Sequence, residues 1–411
     1  MNAQAHQRRS WLGLLCALAV DNFGSGLFLP LSLVYATRVV GLSLGSAGTV
    51  VSAGLVVGLF VPPVAGPLVD RLGPRAVVTT AQGIQALGAL AYLTARGPAG
   101  VFAGALLLAA GSQTFYCSLF ALIADVSPSG SKDRSYALVN AVRGAAFGFG
   151  ALAAAGLVTT ANRTGYRVSV GVDAVSFLVC ALVLARWVEA AHVRHPAPAA
   201  PGAGAASAWR DPPFLALTLV TMLSALAVDF FLAGMPVYVL DELHGQSWLP
   251  GIILALLTAI GAGAAVIAMR VVNRLARTTS MAVRSVLYVV WGAASLGAAA
   301  LPSGLRAPYL LTTTLLLAAG SLLGPVANAL AEAAAPRAVR GRYLATFQYA
   351  FTVAGVLTPA IVALFTYAIW LPWLVVCAAS AGAVGGSVWL AGRLPPAAVR
   401  PHQGSVALSR V

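Results

Sequence analysis

Apolar residues run through this chain in long blocks separated by short polar breaks. Twelve blocks of 20–27 residues stand out. Six lie at 11–37, 46–69, 75–95, 99–124, 135–159 and 168–188; after a break, six more lie at 214–240, 248–270, 283–302, 308–332, 342–367 and 369–391. Each is long enough to cross a hydrocarbon core of ~30 Å as a tilted helix. The pattern predicts an all-α integral membrane protein with twelve transmembrane helices. The break at 189–213 is rich in Pro, Ala and Gly and reads as a flexible linker between two six-span halves.

Composition narrows the picture. The 411 residues are 59% hydrophobic and 9% charged, with a mean hydropathy of +0.87. A soluble domain carries about 25% charged residues, so a soluble enzyme, a secreted disulfide scaffold, a disordered regulator and a fibrous protein are all excluded. Twelve spans use nearly the whole chain and leave no room for a soluble catalytic domain. The net charge of +14 does not mark a nucleic-acid partner, because the basic residues occur singly or in small groups between apolar blocks. Of the 25 basic residues only Lys132 is not Arg, which together with the alanine content points to a GC-rich bacterial genome.

Nineteen basic residues fall in the tails and even-numbered connections; Arg38, Arg96, Arg163, Arg167 and Arg306 fall on the other side, and Arg143 within a span. The positive-inside rule then places both termini in the cytoplasm of a bacterial plasma (inner) membrane. Arg8 and Arg9 before Trp11 resemble the start of a signal peptide, but no small-residue cleavage site follows, so an uncleaved first span is expected. The expected layout is a cytoplasmic tail over 1–10, a six-helix bundle over 11–188, a cytoplasmic linker over 189–213, a second bundle over 214–391 and a cytoplasmic tail over 392–411. Cys16, Cys117, Cys180 and Cys377 lie in apolar blocks without paired spacing, and the five histidines lie in loops or tails. No metal site and no cofactor are expected.

The halves repeat. Ala17-Leu18-Ala19-Val20-Asp21 recurs as Ala225-Leu226-Ala227-Val228-Asp229, an offset of 208, with Phe23/Phe231 and Gly26/Gly234 in register. At the same offset Arg134 and Ala137 match Arg342 and Ala345, and Asn140 falls opposite Gln348. Two matches at one offset, at equivalent spans, point to an internal duplication. Parallel six-helix halves with a midplane site are a transporter architecture.

The turn after the second span reads Gly66-Pro67-Leu68-Val69-Asp70-Arg71-Leu72-Gly73-Pro74-Arg75. It resembles the signature loop of the major facilitator superfamily, G-x-L-x-D-R-x-G-x-R, at every defining position; the counterpart at 272–277 is degenerate. Asp70 stands at the negative end of its own helix dipole, which disfavours a carboxylate there. The resemblance implies a cytoplasmic latch in which Asp70 meets the cluster Arg337, Arg340 and Arg342, while Asp125 pairs with Arg71 or Arg75. The other reading is that the arginines fix topology and Gly73 makes the turn. Asp21-Asn22-Phe23-Gly24-Ser25-Gly26 followed by Pro30 is similar to the first span of drug:proton antiporters, the multidrug efflux branch. The Arg that such exporters carry before a Gln-Gly pair in span 4 is missing at Gly111-Ser112-Gln113. Span 5 has Gly144, Gly148 and Gly150 but no Gly-Pro.

Asp21 lies ten residues past Trp11, ~15 Å along a helix, near the bilayer midplane. An Asp there costs ~2.5–3.5 kcal/mol on insertion scales. Burial disfavours its charged form, so it is a candidate for reversible protonation, or else a structural carboxyl held by a neighbouring helix. Asp229 holds the equivalent place beside bulkier neighbours. Arg143 is expected to be the sole intramembrane cation and the counter-charge of Asp21 or Asp229, or an arginine snorkelling to the interface. Asn22, Gln113, Tyr116, Asn140, Asn328 and Gln348 are candidate substrate contacts; each alone is as readily an interhelical hydrogen bond. Asp173 opens span 6, where a helix N-terminus welcomes a carboxylate. Trp11, Trp187, Trp248, Trp370 and Trp373 are expected as interfacial anchors. The Gly144/Gly148 pair is expected to let helices approach closely.

With no nucleophile–base set, phosphate loop or metal cluster, an enzyme is not expected. The sequence points to a secondary active transporter working by alternating access: a proton-coupled exporter of amphipathic small molecules such as drugs or antibiotics, monomeric in the bilayer. The alternatives are a proton-coupled importer of a small polar nutrient and a non-transport membrane scaffold.

Overall fold

The computed structural model describes residues 2–127, 132–188, 208–263, 275–336 and 340–400. Most of the expected linker, the end of the C-terminal tail, Arg337 and the start of the degenerate second loop lie outside the described residues, as do the packing of Gly66 and the side chains of Asp70 and Arg340. The described chain is helical. Among the described residues ten helices are long and apolar enough to cross a membrane, and two shorter apolar segments, Leu44–Phe60 and Leu249–Gly261, fall in the second and eighth expected blocks.

The helices used below are α1 (Asn2–Phe28), α2 (Ser32–Arg38), α3 (Leu44–Val56), α4 (Pro62–Leu72), α5 (Pro74–Thr94), α6 (Pro98–Val126), α7 (Lys132–Trp187), α8 (Pro212–Val237), α9 (Leu249–Gly263), α10 (Arg277–Gly297), α11 (Ser303–Ser321), α12 (Pro325–Ala334), α13 (Arg340–Ala363) and α14 (Leu371–Leu390). Their surfaces suit lipid. Leu87, Leu152, Leu182 and Val388 are all exposed, which hydrocarbon tolerates and water does not. Hydroxyls within the helices return to the backbone: Thr79 donates to the Arg75 carbonyl at 2.9 Å and Ser387 to that of Ala383 at 2.7 Å. Such bonds leave few polar groups unmet where no water can reach.

Helix α7 runs from Lys132 to Trp187 and contains the fifth and sixth expected spans as Leu138–Val158 and Arg163–Trp187. The two legs fold back on each other, since a methyl group on Gly165 would overlap the Leu157 carbonyl, eight residues earlier. A straight helix would hold these residues ~12 Å apart.

By contacts the chain forms two compact units. The first comprises Met1–Pro196, Leu232–Ala262 and Pro359–Thr366. Its core joins Leu14, Ala17 and Leu18 of α1 to Val78 and Ala81 of α5, Phe115 and Leu119 of α6, and Cys180 and Leu184 of α7. Helix α1 packs on the first leg of α7 through missing side chains: a methyl group on Gly26 would overlap the Phe147 carbonyl, and one on Gly150 the Phe23 carbonyl. Gly148 faces Thr258 of α9, which would stand 3.0 Å from such a methyl group. Arg38, at the end of α2, donates to the Asp241 carboxylate at 2.6 and 2.9 Å and to the Leu240 carbonyl at 2.9 Å.

The second unit comprises Ala197–Phe231, Gly263–Thr358 and Tyr367–Val411. Phe214 and Leu217 of α8 pack with Met281 of α10, Val326 and Leu330 of α12 and Tyr343 and Phe347 of α13. A second cluster packs Phe230 edge to face with Trp373 (ring centroids 5.0 Å apart), Trp373 with Trp291 (5.5 Å) and Trp291 with Phe231 (5.9 Å).

This packing corrects two expectations. Trp373 is 1% exposed and belongs to that aromatic core, and Trp11 is buried in the core of the first unit, whereas Trp187 and Trp370 are exposed. Asp173 does not open its span: it lies ten residues beyond Arg163 and is buried.

Candidate functional site

The polar centre of the first unit is built around α1. Asp21 is buried among apolar side chains, and both carboxylate oxygens accept amide hydrogens. Gln82 Nε2, from α5, donates to Oδ1 at 3.0 Å, and Asn22 Nδ2 donates to Oδ2 at 3.1 Å. Asn22 also donates to the Leu18 carbonyl at 2.8 Å and is itself buried. Expected among the substrate contacts, it is instead turned onto Asp21. Two amide donors are what a buried carboxylate needs, since an unmet one costs several kcal/mol.

Arg143, on the first leg of α7, lies within electrostatic reach of Asp21. It donates to the Tyr116 hydroxyl at 2.7 Å, with its guanidinium 5.1 Å from the Tyr116 ring centroid and 5.9 Å from that of Phe115. Cation–π contact of this kind holds a guanidinium against an aromatic surface. Tyr116 is 42% exposed, so this pair presents an aromatic, singly charged face. Gln113, one helical turn before Tyr116 on α6, is half-buried against Gly58.

Arg143 is not the sole intramembrane cation. Arg284, seven residues into α10 of the second unit, is 5% exposed; its Nε donates to the Tyr288 hydroxyl at 3.1 Å, and that hydroxyl pairs with Ser321 Oγ at 3.2 Å. The predicted start of the ninth span at 283 put Arg284 at the membrane edge; α10 begins at Arg277 and carries it inward. In the same unit Asp229 is half-buried and faces α13, its Oδ2 3.9 Å from where a methyl group on Gly355 would stand. Asn328 and Gln348 of this unit and Asn140 of the first are exposed.

The signature loop is a helix end followed at once by a helix start. α4 stops at Gly73, whose φ of +84° is a conformation that favours glycine, and α5 starts at Pro74. Arg71 is exposed. Arg75 donates through Nε to the Leu184 carbonyl at 3.2 Å and through its terminal nitrogen to the Ala185 carbonyl, closing the C-terminal turn of α7. A cation there answers the orphan carbonyls and the negative end of the helix dipole. Asp125 and Arg342 are exposed at the ends of α6 and α13.

Gln82 and Asp173 are the members of the site that the sequence reading did not assemble. Gln82 and Gln85 form an i, i+3 amide pair on one face of an apolar helix, a readable sign of a buried polar contact. Asp173 faces α1 at Gly24: a methyl group on Gly24 would stand 3.0 Å from Asp173 Oδ1 and overlap Ser176 Oγ. Among the described residues no cluster of His, Cys, Asp and Glu has the makings of a metal centre.

The profile of the Major Facilitator Superfamily matches residues 14–317. No curated protein sequence matches the chain. Among solved structures, the nucleoside transporter NupG is similar over 93% of this chain and 98% of its own, with a TM-score of 0.72 and 13% identity. A bacterial homologue of the iron transporter ferroportin in an inward-facing state is similar over 94% of this chain and 100% of its own (TM-score 0.71, 16% identity). The D-xylose–proton symporter is similar over 94% and 98% (TM-score 0.73, 13% identity). At such identities the likeness is one of fold.

Proposed function

The chain belongs to the major facilitator superfamily and is a multi-pass membrane transporter, and we propose that it is a proton-coupled exporter of amphipathic small molecules working by alternating access. The observation that carries this reading is Asp21, a buried carboxyl in an apolar span, linked electrostatically to an arginine that rests on the exposed ring of Tyr116. An intramembrane ionisable group is functional by default. Protonation of Asp21 removes the negative charge within reach of Arg143 and so alters the field at Tyr116, where the apolar part of an amphipathic molecule would lie. Substrate and proton then compete, which is the requirement for exchange. Asp229 would play the corresponding part in the second unit. The signature loop would act as a cytoplasmic latch, with both termini on the cytoplasmic side of a bacterial inner membrane and the protein monomeric.

A second reading, uptake of a small polar nutrient, is favoured by the exposed amides of Asn140, Asn328 and Gln348. One of the similar folds is a sugar–proton symporter. The two readings separate in liposomes holding purified protein, an imposed pH gradient and an internal pH dye, challenged with lipophilic cations, antibiotics, neutral amphiphiles, sugars and nucleosides. Export predicts that amphiphiles release protons with wild type and not with Asp21→Asn. Responses confined to sugars or nucleosides would move the reading to uptake. Equal responses from wild type and Asp21→Asn would make Asp21 structural.

A further inference from the structure

The proton-coupled reading uses one buried carboxyl of the first unit and leaves a second unexplained. Asp173, on the second leg of α7, is 1% exposed, and neither of its carboxyl oxygens has a hydrogen-bond partner among the described residues. The nearest hydroxyl does not serve it, because Ser176 Oγ donates to the Asp173 main-chain carbonyl at 2.8 Å. Asp173 Oδ1 points at the bare backbone of Gly24, one turn beyond Asp21 on α1, and the two carboxyls lie within electrostatic reach of each other. The other titratable groups that face this pair are Arg143, on the Asp21 side, and the Cys180 thiol, two turns along from Asp173.

The surroundings of the two acids differ in one decisive respect. Asp21 receives an N–H on each oxygen, from Gln82 and Asn22, and so is furnished as an anion. Asp173 receives none. An ionised carboxylate without donors in an apolar interior is far more costly than a neutral acid, and here it would also face the Asp21 anion. A third polar atom completes the set. Gln82 Oε1, on the same carboxamide whose nitrogen holds Asp21, is likewise buried without a hydrogen-bond partner among the described residues.

We propose, building on the proton-coupled reading above, that Asp173 carries the transported proton and that Asp21 and Asp173 hold one proton between them across the α1–α7 contact. In the described conformation the O–H is on Asp173 and Asp21 is the anion. Transfer breaks the O–H bond on Asp173 and forms one on Asp21, so the pair keeps a single negative charge, matched by Arg143. Release of the proton to water leaves two carboxylates, which water must solvate. Release therefore requires α1 to part from α7 at Gly24, whose bare backbone now lies against the Ser176 and Asp173 side chains. Proton release is in this way tied to helix movement rather than to acidity alone.

The test is infrared titration of the acid carbonyl band of the full chain in liposomes, together with substrate-driven proton release, for wild type, Asp21→Asn, Asp173→Asn and Asp173→Glu. Wild type is expected to show an acid carbonyl band at neutral pH that Asp173→Asn abolishes and Asp21→Asn retains, with loss of coupled proton release in Asp173→Asn. Asp173→Glu is expected to keep release with a displaced pH profile, which also carries the test should Asp173→Asn fail to fold. Wild-type release and pH profile in the Asp173 variants would overturn this assignment while leaving proton coupling standing. Displacement of the acid band by added Na⁺ or Ca²⁺ would make the pair a metal-cation site and overturn it too. If wild type itself releases no protons with any compound, proton coupling fails and this assignment fails with it.

Discussion

Gln82 and Asn22 decide what Asp21 is. Each donates an amide hydrogen to one carboxylate oxygen in a buried setting, and a hydrogen bond to a charged group contributes about 1.5–3 kcal/mol. Gln82→Leu is therefore expected to lower thermal stability. A double-mutant cycle of Gln82→Leu with Asp21→Asn should return a coupling of about 1.5–3 kcal/mol, read from melting of the purified protein. Additivity would mean that the two side chains act independently. Arg143 is set by the same local logic. Tyr116→Phe removes the hydroxyl that receives Arg143 at 2.7 Å while keeping the ring beneath it. It is expected to weaken the binding of charged substrates more than that of neutral ones, as measured by substrate-induced quenching of tryptophan fluorescence.

At the scale of elements, the site depends on how closely α1 can lie against α7. Gly26 and Gly150 meet the opposite backbone directly, and in lipid such small residues are what allow helices to approach. Gly26→Leu or Gly150→Leu is expected to cost about 1–3 kcal/mol, or to abolish folded protein outright. Gly83→Ala has open space around it and should stay within about 0.5 kcal/mol of wild type. Monodispersity and melting temperature in detergent distinguish these outcomes. The Arg38–Asp241 pair is partly exposed, so its loss in Arg38→Ala should cost roughly 1 kcal/mol or less. The charge-exchanged double variant should recover most of that loss.

At the scale of the whole molecule, length, hydropathy and the distribution of basic residues were enough to read a twelve-span helical membrane protein, and the loop at 66–75 was enough to read its family. These are legible because the bilayer imposes them: a span needs a minimum apolar length whatever its neighbours, and Lys and Arg are sorted by side before tertiary packing begins. The proposed orientation is checked by fusing a reporter active only in the cytoplasm to each terminus, with signal expected from both. What the sequence left open was which polar groups meet. A span boundary set a few residues late hid Arg284 and set Asp173 at a helix end. The union of Gln82 with Asp21, and of Gly24 with Asp173, joins residues 61 and 149 positions apart. Hydropathy reports how each helix partitions into lipid but not its rotation about its own axis. Tertiary packing alone fixes that rotation, and the rotation decided that one buried aspartate is held by two amides while the other has none.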